Sequence, residues 1–154
     1  MIEIKGDLFK EAEKLSKNNL VLACVTTNGV IKSNGNLVMG AGIAKIAADI
    51  YKELPSYFGK LVIEKGNIPH LFNTQNPLLK ILSFPTKDDW KKPSRKSLIE
   101  YSIKGIINYY NDYKNCKVIM PKPGCSLGGL NWDEVKPILE QFNLNDDFII
   151  CDLR

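Results

Sequence analysis

The run Leu20-Val-Leu-Ala-Cys-Val-Thr-Thr27 is apolar at nearly every position, and no other stretch constrains the fold as much. A strand with no polar side has to be covered on both faces, which requires a sheet held between two layers. The remaining periodicities supply those layers. Ile2 and Ile4 alternate with Glu3 and Lys5 as in a half-buried edge strand, and residues 61–63, 81–84, 118–120 and 148–153 read as further strands. Residues 9–15 make a short helix, and Ile43, Ala47, Ile50 and Leu54 recur at helical spacing until Pro55 ends the pattern. Ile99, Ile103, Ile106, Tyr110 and Tyr113 mark the longest helix, with Ser94 as its N-cap. Val135, Ile138, Leu139 and Phe142 form the apolar face of a last helix, capped by Asn131 and bent at Pro137. Residues 64–75 show no pattern. Strands alternating with helices predict an α/β domain of three layers, α/β/α, around a central mixed sheet.

Two glycine-rich loops follow strands and precede helices. In Asn36-Leu-Val-Met-Gly-Ala-Gly-Ile-Ala44 the glycines run straight into a helix, and Pro121-Lys-Pro-Gly-Cys-Ser-Leu-Gly-Gly-Leu-Asn-Trp132 follows the apolar run 118–120. A helix N-terminus presents unpaired N–H groups and the positive end of its dipole, and residues without bulky side chains let a diphosphate approach them. Neither the dinucleotide fingerprint nor a Walker loop is present. One such loop alone reads equally well as a tight strand-to-helix connection, but two of them on strand ends can clasp a diphosphate from both sides. The end of the Leu20–Thr27 strand adds Thr26, Thr27 and Asn28, leading through Asn34 to the first loop. In open α/β sheets ligands bind outside the carboxyl ends of the strands, so this polar cluster is placed to hold a sugar. Asp7 reads either as a turn former bonded to its own backbone or as an acceptor for an exocyclic amine such as that of adenine.

A chain of 154 residues with ordinary globular composition fits one domain spanning 1–154. Its apolar runs are strand-sized, so neither a membrane span nor a signal segment is expected. The reading is a cytoplasmic protein, monomeric on its small surface and low charge. The formal charge of +4 suits an anionic ligand but falls short of the footprint of a dedicated nucleic-acid binder. Cys24, Cys116, Cys125 and Cys151 lack metal-ligand spacing, and the single histidine, His70, reads as a turn cap, so neither a metal nor a cofactor is expected.

Taken in order, Gly6-Asp-Leu8, Met39-Gly-Ala-Gly-Ile-Ala44 and Gly124-Cys-Ser-Leu-Gly-Gly-Leu130 resemble the macro domain, the ADP-ribose-binding fold, over essentially the whole chain. Within that family, Lys5-Gly-Asp-Leu-Phe9 is similar to the terminal ADP-ribose protein glycohydrolase. Phe84-Pro-Thr-Lys-Asp-Asp-Trp90, Ser94 and Gly128-Gly-Leu-Asn-Trp132 are similar to the antitoxin DarG of the same branch, which removes ADP-ribose from DNA bases. The resemblance implies that Asp7 bonds the adenine amine and that Gly40, Ala41, Gly42 and Ile43 hold one side of the diphosphate. It implies that Ser126, Leu127, Gly128, Gly129 and Leu130 hold the other side and the distal ribose. Leu8, Thr26, Met39, Pro121, Gly124 and Cys125 complete the implied ligand-binding set. Either Asn28 or Asn34 meets the distal ribose, Asn34 being favoured by its distance from the glycines. Lys87 matches the lysine on which the branch relies for hydrolysis. The aspartate that partners that lysine in the glycohydrolase is replaced here by Gly128, and residues 30–37 are inserted before the first loop.

Cleaving a base–ribose or carboxylate–ribose linkage develops charge at the anomeric carbon and on the leaving group. An ammonium in a partly dry site stabilises that charge, and a lysine that has lost its proton can attack the carbon itself. The leading expectation is therefore an ADP-ribosyl hydrolase that releases ADP-ribose from a modified DNA base or protein side chain. A phosphatase acting on ADP-ribose 1″-phosphate and a non-catalytic ADP-ribose reader stand as alternatives.

Overall fold

The structure is a computed structural model that describes residues 1–153. In chain order its elements are β1 (Ile2–Lys5), α1 (Leu8–Leu15), β2 (Leu20–Thr27), α2 (Gly42–Ile50), α3 (Leu54–Lys65), β3 (Leu71–Asn73), β4 (Leu79–Pro85), α4 (Lys96–Asn111), β5 (Cys116–Met120), α5 (Trp132–Glu140) and β6 (Phe148–Asp152). Among the described residues the strands form one six-stranded sheet in the order β1-β6-β5-β2-β4-β3. Every neighbouring pair is parallel except β3 with β4, where Leu71 faces Leu82 in antiparallel register. The sheet is therefore mixed, as the alternation of elements predicts.

The strand that sets the architecture behaves as its composition requires. Val21, Leu22, Ala23, Cys24 and Val25 are fully buried, and side chains that alternate along β2 enter different cores. Val21, Ala23 and Val25 pack with Leu8, Phe9 and Ala12 of α1, Ala44 and Ala47 of α2, and Leu54 and Phe58 of α3. Leu22 and Cys24 pack on the other side with Ile99, Ile103 and Ile106 of α4 and Val135 and Leu139 of α5. Two apolar cores on opposite faces of one sheet make the three layers.

Three sequence expectations are corrected. Residues 61–63 lie inside α3 and are not a strand, because Pro55 opens this helix within its first turn, where a missing N–H costs nothing, instead of closing the previous one. Leu54 accordingly belongs to α3, and Ile50, expected on the buried face of α2, is 50% exposed while Ala44 and Ala47 face the core. Ser94 is not the cap of α4, whose N-cap position is Arg95; the buried Ser94 hydroxyl has no hydrogen-bond partner. The featureless stretch 64–75 contains the short edge strand β3.

The insertion at residues 30–37 folds as a small hairpin, with a bridge between Ile31 and Leu37 and a bond from Val38 N–H to Val30 C=O of 2.9 Å. Its backbone lies directly on α3, where a side chain at Gly59 would overlap the Gly35 carbonyl. Among the described residues no helix is long and apolar enough to cross a membrane.

Candidate functional site

The parallel strands β1, β6, β5, β2 and β4 all end on the same edge of the sheet, and a cleft of about 610 Å³ runs along that edge. Five strands spaced by about 4.8 Å span roughly 19 Å from β1 to β4. That suits an extended, dinucleotide-sized ligand. The cleft is deepest in chemistry where β2 and β5 are neighbours: the chain leaves the β2 side for α2 on one face and leaves β5 for α5 on the other. A crevice between connections that diverge to opposite faces is the usual ligand position in such sheets.

Both glycine loops line it. The N-cap of α2 is Ala41, which has no side chain able to cap, so the first-turn N–H groups of α2 are left for a ligand or for water. Gly42 begins the helix with φ of +59°, a conformation that disfavours any residue with a Cβ. The second loop is built from a 3₁₀ turn, Ser126–Gly128, and its base is closed by a bond from Leu130 N–H to Gly124 C=O of 3.0 Å. Ser126 holds φ of +62°, backbone strain of the kind that clusters at ligand clamps.

Asp7 stands at the β1 end of the cleft as the N-cap of α1, its Oδ1 accepting from Lys10 N–H at 3.0 Å. At the β4 end stands Lys87, whose Nζ donates to the Leu127 carbonyl at 3.1 Å and so ties the strand end to the second loop. The backbone that carries Lys87 is pinned at three consecutive residues. Thr86 N–H donates to Thr27 C=O at 3.0 Å and Thr86 C=O accepts from Arg95 N–H at 2.9 Å. The Lys87 carbonyl accepts from Asn67 Nδ2 at 3.0 Å, and the Asp88 carbonyl accepts from Gly29 N–H at 3.1 Å. The Asp88 carboxylate is held by both Nε and Nη2 of Arg95, at 2.7 and 3.2 Å, and that guanidinium keeps its carboxyl below the ordinary carboxylate range.

Of the residues singled out from sequence, Asp7, Leu8, Thr26, Asn28, Met39, Gly40, Ala41, Gly42, Ile43, Lys87, Pro121, Gly124, Cys125, Ser126, Leu127 and Gly128 line this cleft. Asn34, Gly129 and Leu130 do not. Asn34 sits at the hairpin tip and accepts from Asn36 N–H at 3.0 Å, drawn away as the hairpin lies on α3. Gly129 forms the left-handed end of the 3₁₀ turn, and Leu130 turns into the core beside α4 and α5. Asn28 is the asparagine in the cleft, although its amide also closes the inserted hairpin through Val38 C=O (3.0 Å) and Val30 N–H (2.8 Å). Sequence reasoning missed Thr86, Trp90, Lys122 and Asp152 as lining residues. Each lies at or just beyond the carboxyl end of a parallel strand, and that position was the available signal. At Gly128, where the glycohydrolase pattern has aspartate, a Cβ would overlap Ser94 Oγ, so a larger residue there requires the Ser94 hydroxyl to move. His70 is buried, its Nε2 bonded to Gly66 C=O at 3.0 Å, and burial lowers its pKa; it lies outside the cleft.

The fold has solved counterparts. The macrodomain of Mycobacterium tuberculosis DarG matches with a TM-score of 0.74 at 24% identity, over 98% of this chain and 95% of that one. Thermosipho africanus DarTG in complex with ADP-ribose matches with a TM-score of 0.77 at 25% identity, over 97% of this chain and 40% of that one. Fold and cleft define the class: the chain has the macro-domain fold. Its sequence is similar to the DNA ADP-ribosyl transferase–DNA ADP-ribosyl glycohydrolase fusion protein of Thermosipho africanus, 27% identical over 157 residues that cover 88% of this chain. It is also similar to the DNA ADP-ribosyl glycohydrolase of Thermus aquaticus, 33% identical over 61 residues that cover 40% of this chain. Among macro domains, those of DarG are ones it resembles in both fold and sequence. The matched segments span 37% and 17% of the lengths of those two relatives. No family model matches the chain.

Proposed function

We propose that the chain binds ADP-ribose along this cleft and hydrolyses the bond between the distal ribose and a DNA base, with Lys87 as the catalytic group. The observation that carries this reading is the Lys87 ammonium, 3.1 Å from the Leu127 carbonyl beside Gly128, on a backbone held at residues 86 to 88. In the reading Asp7 meets the adenine amine and residues 40–43 and 126–128 take the two sides of the diphosphate. Asn28, and not Asn34, is directed to the distal ribose.

The reaction breaks the C1″–N bond and sends its electron pair to the base, which takes a proton from water while the hydroxyl of that water ends on C1″. Negative charge builds on the leaving base, and an ammonium beside it lowers the barrier; a single well-placed donor of this kind contributes about 2.7–4 kcal/mol. Among the described ion pairs Lys87 has no carboxylate partner, and the nearest in sequence, Asp88, is engaged by Arg95. Already donating to the Leu127 carbonyl, the Lys87 ammonium suits charge stabilisation better than nucleophilic attack. The reading includes a monomer acting in the cytoplasm, a setting that suits four cysteines that form no disulfide among the described residues.

The test measures ADP-ribose affinity and hydrolysis of an ADP-ribosylated oligonucleotide in parallel. Lys87→Ala keeps the affinity within about threefold and slows hydrolysis by roughly a hundredfold or more. Lys87→Arg retains part of the rate, because arginine keeps the charge but cannot become a nucleophile. Turnover of ADP-ribose 1″-phosphate without turnover of modified DNA would make the protein a phosphatase. Binding with no turnover of either would make it a reader.

A further inference from the structure

We infer that Trp90, with Lys91 and Lys92 beside it, forms a docking rim for the single-stranded DNA that carries the modified base; the inference rests on the function proposed above. Trp90 lines the Lys87 end of the cleft and is 51% exposed. The chain's other tryptophan, Trp132, is partly buried and donates its Nε1–H to Glu3 at 2.9 Å. Trp90 has no hydrogen bond among the described residues; its described partner is the Lys91 ammonium, 5.4 Å from the ring centroid. An indole left half in water at the mouth of a cleft is a flat apolar surface on which an unpaired base can stack.

The charge distribution points the same way. Residues 87–96 carry five lysine or arginine side chains against two aspartates, so three of the chain's net four positive charges lie in this one segment. Asp88 is paired with Arg95, and Lys96 with Glu134 at 3.2 Å, whereas Lys91 and Lys92 have no ion-pair partner among the described residues. Two cations without ion-pair partners, next in sequence to an exposed aromatic ring, match a sugar–phosphate backbone whose base lies on the ring. Position supplies the rest. Asp7 and Trp90 stand at opposite ends of the cleft, so a ligand whose adenine lies at Asp7 points its distal ribose, and whatever is joined to it, toward Trp90.

The experiment uses the Lys87→Ala protein, so that the ligand survives, and compares dissociation constants for ADP-ribose and for an ADP-ribosylated single-stranded oligonucleotide. The oligonucleotide is expected to bind at least tenfold tighter than ADP-ribose. Adding Trp90→Ala removes most of that gain, lowering affinity for the oligonucleotide at least fivefold more than affinity for ADP-ribose, and Trp90→Phe restores part of it. Replacing Lys91 and Lys92 by alanine lowers the slope of log affinity against log salt by about one to two. If ADP-ribose binds and the oligonucleotide gains nothing, or if the gain survives Trp90→Ala, this inference is overturned while the proposed function stands. An ADP-ribosylated peptide that gains as much through Trp90 overturns it in favour of a protein substrate. If ADP-ribose itself does not bind, the proposed function falls and this inference with it.

Discussion

At the first glycine loop a methyl group added to Gly40 would meet nothing within 4 Å, whereas at the second a methyl on Gly124 would lie 2.7 Å from Ile99 Cδ1 and one on Gly128 would overlap Ser94 Oγ. The two loops resemble each other in sequence and border the same cleft, yet their glycines answer different demands. Gly40 leaves room for something that is not part of the protein, on the open approach to an uncapped helix. Gly124 and Gly128 leave room for the protein itself, because the second loop is pressed against the start of α4. A glycine-rich loop thus marks close approach, and its surroundings decide whether what approaches is a ligand or another side chain.

The strongest way to break this comparison is Gly124→Ala. Gly124 has φ of +75° and its added methyl would also lie 3.1 Å from both Leu130 Cδ1 and Ser94 Cβ, so strain and overpacking act together. A loss of about 2–4 kcal/mol in urea unfolding is expected. A change below roughly 0.5 kcal/mol would show that the second loop is no more tightly packed than the first.

Next in size is Gly128→Ala, expected to cost about 1–3 kcal/mol through its collision with the Ser94 hydroxyl. That hydroxyl is buried without a partner, so Ser94→Ala alone is expected to be neutral or slightly stabilising. In the Gly128→Ala, Ser94→Ala double variant most of the loss should return. Simple additivity in the double-mutant cycle would place the cause elsewhere than in this contact.

The smallest effect on the fold belongs to Gly40→Ala, which should leave stability within about 0.5 kcal/mol or raise it slightly by narrowing the unfolded ensemble. Its ADP-ribose affinity, read by calorimetry, should nevertheless fall by about tenfold, roughly 1.4 kcal/mol. Unchanged affinity would remove the first loop from the binding site.

What the sequence makes legible follows from how local each signal is. The uniform apolarity of β2 and the four-three stepping of α4 are properties of single elements, and both elements form there, α4 ending at Asn111, short of Tyr113. Residues 61–63 were misread because three apolar residues fit either a strand or one side of a helix, and here Ile63 faces solvent on α3. Asn34 is well placed when distance is counted along the chain, but it lies at the exposed tip of the hairpin, outside the cleft. The β4 end of the cleft was only partly visible. Lys87 is reached through resemblance; for Thr86 and Trp90 the end of β4 is a local signal, but that β4 lies beside β2 and so borders the cleft is a fact of strand order that no local pattern states.

The pairing of β1 with β6 bears on how this cleft comes into being over time. The described neighbour of β1 in the sheet is the last strand, with Ile2 opposite Ile149 and Gly6 N–H donating to Asp152 C=O at 2.9 Å. Strand β2 can take β4 beside it as soon as residue 85 is made, which seats the Lys87 segment early, but β1 has to wait for residues 148–152. Contacts between such distant parts of a chain are slow to close, since the intervening loop loses entropy before the pairing stabilises anything. On the ribosome, the strand partners of the Lys87 end of the cleft are therefore available before those of the Asp7 end, in reverse of the order of the two residues in the chain.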